Sequence, residues 1–395
     1  MSAASQQGRR AAASPLERLA DALLPHTDLI AGRTVDRMQE ALPSYAKLPR
    51  EALLPIVTGN VRNVVTAVRD PDADRSAELE HYEESGEERA RQGISSDEML
   101  QGWRIGLAAV REQARVVAEE HDIGNDVLLE FVEALLEWGD VGMLKSVSAH
   151  RHAEFEMARQ RQHHRTNLVR GVLFGTLPPA SGRMQIAAYG LDPERLYCAV
   201  RARPSDDVSV RTLERALGVA DSAGPRTGLA ALLDGDLAGF VLAPVTTQIE
   251  AHVGVGPPAQ LEALENSFRL ATRALESAVA IGSTGPTAID RLGLWPAVLA
   301  DRDVGDEVIR RIIDPVMDQG KTGAVLLETV ARYLDNDLRL EVTAEQMYLH
   351  VNTVRYRLRR LEELTGMNLR RVGDLVQIWW AIERVRLTHA PDIEL

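Results

Sequence analysis

The chain has 395 residues, 45% of them hydrophobic and 26% charged, with 45 Lys or Arg against 58 Asp or Glu and a formal net charge of −13. That is the composition of folded globular domains, and the length allows about two to four of them. No stretch approaches a membrane-spanning run of apolar residues, and Met1 to Arg10 is not followed by the apolar core of a signal peptide, so a cytoplasmic protein without a membrane partner is expected. One cysteine, Cys198, excludes an internal disulfide and a multi-cysteine zinc site.

Residues 15–165 read as helices. Leu16 to Leu24, Leu29 to Leu42, Leu53 to Val68, Ser96 to Glu119 and Asn125 to His164 carry apolar residues three and four apart, which predicts an all-α bundle. Ser95 or Ser96 can cap the helix whose stripe is Met99, Leu100, Trp103, Leu107 and Val110. His150, His152, His163 and His164 lie on a polar stretch, Ser146 to Asn167, rich in Arg and Gln. His150 with Glu154 and His152 with Glu156 have the i,i+4 spacing of metal ligands, but Arg151, Arg159 and Arg161 oppose a cation, so no metal is expected. A solvated connector helix, able to pair two chains, is the expectation.

Between residues 168 and 290 the period changes. Leu196 to Arg201, Leu229 to Leu233, Leu237 to Leu242 and Ala251 to Val255 read as short strands, with Cys198 an inert core thiol in the first. The middle two flank Asp234-Gly235-Asp236, a hairpin signal. Helices are expected over Val208 to Leu217 and Leu261 to Val279, giving a small α+β domain, and residues 291–323 read as a helical linker. Gly171 to Thr176 lacks the lysine of a phosphate loop, and Gly320-Lys321-Thr322 has Pro315 where that loop needs its first glycine. G-x-S-x-G and H-E-x-x-H are absent, so no catalytic residue and no cofactor are assigned.

Residues 324–387 carry the strongest signal. In Val351 to Leu361 the chemistry is sorted by helical phase: at about 100° per residue, Val354, Leu358 and Leu361 share one stripe, and Asn352, Tyr356 and Arg359 lie opposite. Thr353, Arg355 and Arg360 occupy the shoulders, and Arg357 falls nearest the apolar stripe. Arg355, Arg357, Arg359 and Arg360, with no acid among them, can grip phosphates, and the amide, hydroxyl and phenol beside them can hydrogen-bond base edges. Upstream, Thr343-Ala344-Glu345-Gln346 has capping-box spacing, so a short helix is expected from Thr343 to about Leu349, followed by a turn at His350-Val351 and a second helix capped by Asn352. Gly366 is the expected stop. Val325 to Leu334 and a terminal helix opened by Asp374, with Leu375, Ile378, Trp379, Ile382 and Val385, complete a core.

The stretch AEQMYLHVNTVRYRLRRLEELTGMNL resembles the C-terminal helix-turn-helix of PucR-type (CdaR-like) bacterial transcription regulators. The resemblance implies that Asn352, Thr353, Arg355, Tyr356 and Arg357 form the front of a DNA-reading helix. GISSDEMLQGWRIGLAAV resembles the helical N-terminal domain of RsbR-type co-antagonists, which implies a regulatory input domain without a named ligand. The order of elements at 168–290 resembles a degenerate GGDEF-like domain. Where a cyclase has paired glycines and paired acids, this chain has Leu233 to Phe240 with no adjacent Asp-Glu pair to hold Mg²⁺, so cyclase chemistry is not expected.

Charge is consistent with one DNA-facing module. Leu326 to Leu387 holds ten Arg against nine Asp or Glu, a balance of +1, so the remainder carries about −14. The resulting expectation is a multidomain α+β, one-component transcription regulator that binds double-stranded DNA as a homodimer or higher homo-oligomer and answers an unidentified small-molecule or protein effector. Two other readings remain open: a partner-switching scaffold, and a nucleotide-binding protein acting through the middle domain.

Overall fold

In this computed structural model, residues 14–220, 226–243, 245 and 248–388 are described. They fall in two compact units that part between Gln162 and His163.

The first unit is all helical: α1 (Pro15–Leu23), α2 (Thr27–Ala41), α3 (Arg50–Arg69), α4 (Ser76–Arg91), α5 (Ser96–Glu120) and most of α6 (Asn125–Leu173). Five of these six follow the apolar periodicity, and Ser95 caps α5 by accepting from the Glu98 N–H. The exception is α4, which sequence periodicity does not reveal because its inward face is Tyr82, Ser85, Gly86, Arg89 and Ala90. Gly86 permits that packing, since a Cβ there would come within 2.1 Å of the Ser146 carbonyl oxygen. Ser146 Oγ in turn donates to the Tyr82 carbonyl, and Tyr82 meets Trp103 edge-on. The expectation of a wholly solvated helix from Ser146 needs correction at His150. That ring is fully buried, with one nitrogen 2.8 Å from the Ile94 carbonyl oxygen and the other 3.2 Å from Ser96 Oγ, so it fastens α6 to the start of α5. Beyond it, His152, His163 and His164 are exposed as expected.

In the second unit α7 (Pro179–Ala188) precedes β1 (Tyr197–Ala202), α8 (Val210–Ala216), β2 (Gly228–Leu233), β3 (Asp236–Leu242), β4 (His252–Ala259), α9 (Leu264–Ala280) and β5 (Gly285–Ala288). The sheet runs β2-β3-β1-β4-β5, antiparallel except for the β4–β5 pair. Asp234 and Gly235 both have positive φ in the two-residue β2–β3 turn, the backbone the hairpin signal requires. Alternation sorts β1: Tyr197 and Ala199 join one core with Phe268 of α9 and Leu168 of α6, while Cys198 and Val200 join another with Leu213 of α8. Burial pushes the Cys198 thiol pKa up, as an inert core thiol requires. The four-residue β5, rich in Gly and Pro, carries no strand signal, and only its pairing with β4 makes it one. Asp236, almost fully buried, receives Arg201 Nε at 2.8 Å and Arg203 Nε at 3.0 Å, so the carboxylate at the hairpin is held by two guanidinium groups.

The chain continues as α10 (Trp295–Ala300), α11 (Arg302–Ile312), α12 (Asp314–Met317), α13 (Lys321–Asp335), α14 (Leu340–Gln346), α15 (Val351–Thr365) and α16 (Val372–Thr388). Ile312, Ile313 and Val316 share one core with Leu326, Val330, Val354, Leu361, Ile378 and Ile382. Polar ties reinforce it: Arg384 Nη1 donates to the Val298 and Asp301 carbonyls, and Trp295 Nε1 donates to Glu383. The 291–323 stretch thus supplies side chains to the same core as α13–α16.

Candidate nucleic-acid interface

The C-terminal helices place a short helix, a turn and a basic helix in succession. Leu340–Gln346 is that short helix, but the expected capping box does not form. Thr343 sits inside α14, fully buried, and its hydroxyl donates to the Arg339 carbonyl one turn back. The first turn of α14 begins three residues earlier because Leu340 and Ala344 both pack inward.

At the C-terminus of α14 the Leu349 N–H reaches back to the Ala344 carbonyl at 2.8 Å, and Tyr348 takes the left-handed conformation with φ of 52°. Glycine is the usual residue at that point of such a cap, and a side-chain-bearing residue costs about 1 kcal/mol or more there. Tyr348 is nonetheless 96% exposed, an aromatic displayed at the tip of the turn. Sequence reasoning did not select Tyr348, because a tyrosine in a glycine position gives no turn signal.

The cap of α15 is also different from the expectation. His350, not Asn352, is the N-cap: its Nδ1 accepts from the Asn352 N–H at 3.2 Å. The Asn352 side chain is left outward, where its Oδ1 accepts from Arg355 Nη1 at 3.0 Å. Val354, Leu358 and Leu361 are buried, as the phase argument requires. Gly366 closes the helix in the left-handed conformation, and Glu362 Oε1 accepts the Leu369 N–H to hold the loop that follows.

The outer face gathers Asn352, Arg355, Tyr356 and Arg359, all exposed, with Tyr356 at 69%. Thr353, Arg357 and Arg360 are half-buried along its edges. Arg357 Nη1 donates to Thr329 Oγ1 on α13 at 3.2 Å, so this guanidinium braces α15 against its neighbour. Arg359 and Arg360 converge on Glu363 at 3.5 and 3.1 Å, whereas Arg355 meets the Asn352 amide and pairs with no carboxylate among the described residues. Exposed pairs of that kind contribute at most about 1 kcal/mol each, so phosphate oxygens can compete for both arginines. The face combines cations able to pair with phosphates with an amide and a phenol able to hydrogen-bond base edges.

Residues 326–383 match the model of the PucR C-terminal helix-turn-helix domain, and residues 28–165 match that of the RsbT co-antagonist protein rsbRD N-terminal domain. The uncharacterized protein YsfB of Bacillus subtilis is 30% identical over 131 residues, which is 33% of this chain and 34% of that protein. An uncharacterized protein of Mycobacterium tuberculosis is 27% identical over 394 residues, 89% of this chain and 90% of that protein. The transcriptional activator PmfR of Paenarthrobacter nicotinovorans is 25% identical over 236 residues, 57% of this chain and 47% of that protein. A solved regulator of polyketide synthase expression from Bifidobacterium adolescentis is 22% identical and covers 55% of this chain and 91% of its own, with a TM-score of 0.27. Among the described residues no helix is long and apolar enough to cross a membrane.

Proposed function

We propose that the chain is a DNA-binding regulator of the PucR type that controls transcription by reading double-stranded DNA with α15 under control of its N-terminal domains, a reading supported by the match of residues 326–383 to the PucR helix-turn-helix. The observation that carries the reading is the outer face of α15. Asn352 and Tyr356 stand clear of the core on the same side as Arg355 and Arg359, while Val354, Leu358 and Leu361 hold the opposite side in place. Asn352 and Tyr356 are assigned to base edges, and Arg355, Arg359 and Arg360 to phosphates. Thr353 lies at the phosphate edge, and Arg357 positions the helix through Thr329. The similarity to the activator PmfR supports a role at promoters.

A single helix-turn-helix buries limited surface, so the reading includes a homodimer or higher even oligomer that spans two half-sites. Leu144, 72% exposed, and Phe155, 65% exposed, stand on α6, and such apolar residues on a long polar helix suit pairing with a second copy. Genome-wide footprinting tests the proposal: paired half-sites separated by a whole number of turns, each roughly 10 base pairs, are expected. No protected site anywhere would leave the partner-switching reading in its place. The middle domain is read as a non-catalytic relay, because Arg201 and Arg203 already occupy the Asp236 carboxylate.

A further inference from the structure

The N-terminal bundle holds a partly open cavity of about 50 Å³ between α2, α3, α4 and α5. About 10–15 Å³ holds one water and about 150 Å³ holds benzene, so the space exceeds a single water and takes a ring as lining side chains such as Met38 and Leu107 give way. Its walls are largely apolar, among them Met38, Val61, Trp103 and Leu107. Three polar groups interrupt them: Arg89, Asn60 and Tyr45.

Arg89 is the unusual one. It is only 3% exposed, and of the four buried arginines among the described residues it is the one whose side chain reaches neither a carboxylate nor a backbone carbonyl. Its recorded partners are the Gln92 amide oxygen at 2.6 Å and the face of the Tyr45 ring, 5.7 Å from the guanidinium carbon. A buried cation without an ion pair is costly, and burial pulls its pKa down against the smaller opposing effect of the Glu88 charge. The Tyr45 hydroxyl, whose pKa burial pushes up to about 12, stays neutral and supplies no counter-charge. Asn60 Oδ1, also buried, has no hydrogen-bond partner. An apolar chamber lined by a cation without an ion pair and by an unpartnered amide oxygen suits one molecule that carries an anion, an apolar body and a hydrogen-bond donor.

We propose that this cavity is a ligand site for a small organic acid with a ring-sized apolar body, its carboxylate on Arg89 and a hydroxyl or N–H on Asn60. Such a ligand would touch α2, α3, α4 and α5 at once. That such a ligand is the effector of the regulator rests on the function proposed above, whereas the site itself does not, because binding is measured without DNA.

The test is calorimetric titration of the full chain at neutral pH with 4-hydroxybenzoate, benzoate and, as neutral counterpart, phenol. Binding of 4-hydroxybenzoate at one site per chain is expected, with phenol at least tenfold weaker and benzoate between them. Arg89→Met should lower the affinity for 4-hydroxybenzoate at least tenfold while the helical content and melting point are kept. Arg89→Lys should restore part of the loss. Absence of binding by both acids, equal binding of phenol, or undiminished binding by Arg89→Met would each overturn the assignment.

Discussion

Arg89 and Arg384 are buried almost equally, in two all-helical regions of one chain, yet their surroundings differ sharply. Arg384 reaches the Val298 and Asp301 carbonyls and faces Asp306 at 3.5 Å, so its charge ties α16 to the segment around α10 and α11. Arg89 has a single amide oxygen and the face of a ring. The C-terminal region uses this buried charge to hold its helices, and displays Arg355 and Arg359 on the outside of α15. The N-terminal bundle keeps a charge and a cavity in its interior. Under the two proposals above, one region presents a reading surface and the other receives a ligand.

Substitution can break that comparison, and the largest effect is expected at Arg384. Arg384→Met leaves buried carbonyls without donors and should destabilise the C-terminal helices by about 3 kcal/mol, read as faster hydrogen exchange of α16 amides. Protection equal to wild type would remove the fastener role. A smaller effect is expected at the surface of α15. Arg359→Ala or Arg360→Ala should weaken binding to every DNA sequence and lower the salt-dependence slope by about one unit per lost contact. Glu363→Gln should act in the opposite direction, strengthening DNA binding by up to about 1 kcal/mol because it releases two arginines and removes a like charge from the phosphates. Loss of affinity in Glu363→Gln would show that the carboxylate positions the arginines instead of competing for them. The smallest effect on stability is expected at Arg89. Arg89→Met removes a poorly compensated buried charge, so without ligand the bundle should change by no more than about 1 kcal/mol or become more stable. A loss comparable with that of Arg384→Met would erase the distinction between the two sites.

Much of this organisation is legible in the sequence wherever apolar residues fall in phase. Val354, Leu358 and Leu361 define the inner side of α15, and the same signal marks α5 and α9. The Asp234-Gly235 turn is legible because positive φ at two successive residues has a strong residue preference. Periodicity is silent on α4, whose buried face is built from Ser85, Gly86 and Arg89. It is equally silent on β5, where pairing with β4 decides the conformation. Local capping rules mislead at Thr343 and Asn352, since His350 caps α15 and inward packing starts α14 earlier. Composition hints at the reading face but gives no sign of Tyr348, whose exposure depends on a turn that a tyrosine does not announce. The cavity beside Arg89 is beyond sequence patterning altogether, because it depends on how four helices fail to fill the space between them.

The central claim is that the outer face of α15 reads bases. Quantitative binding of the full chain and of Asn352→Ala and Tyr356→Ala, each to the footprinted site and to random DNA at one salt concentration, tests it most directly. Each substitution should cost roughly 1 to 3 kcal/mol on the specific site and leave binding to random DNA nearly intact. An equal loss on both DNAs, or no loss on either, would contradict the account.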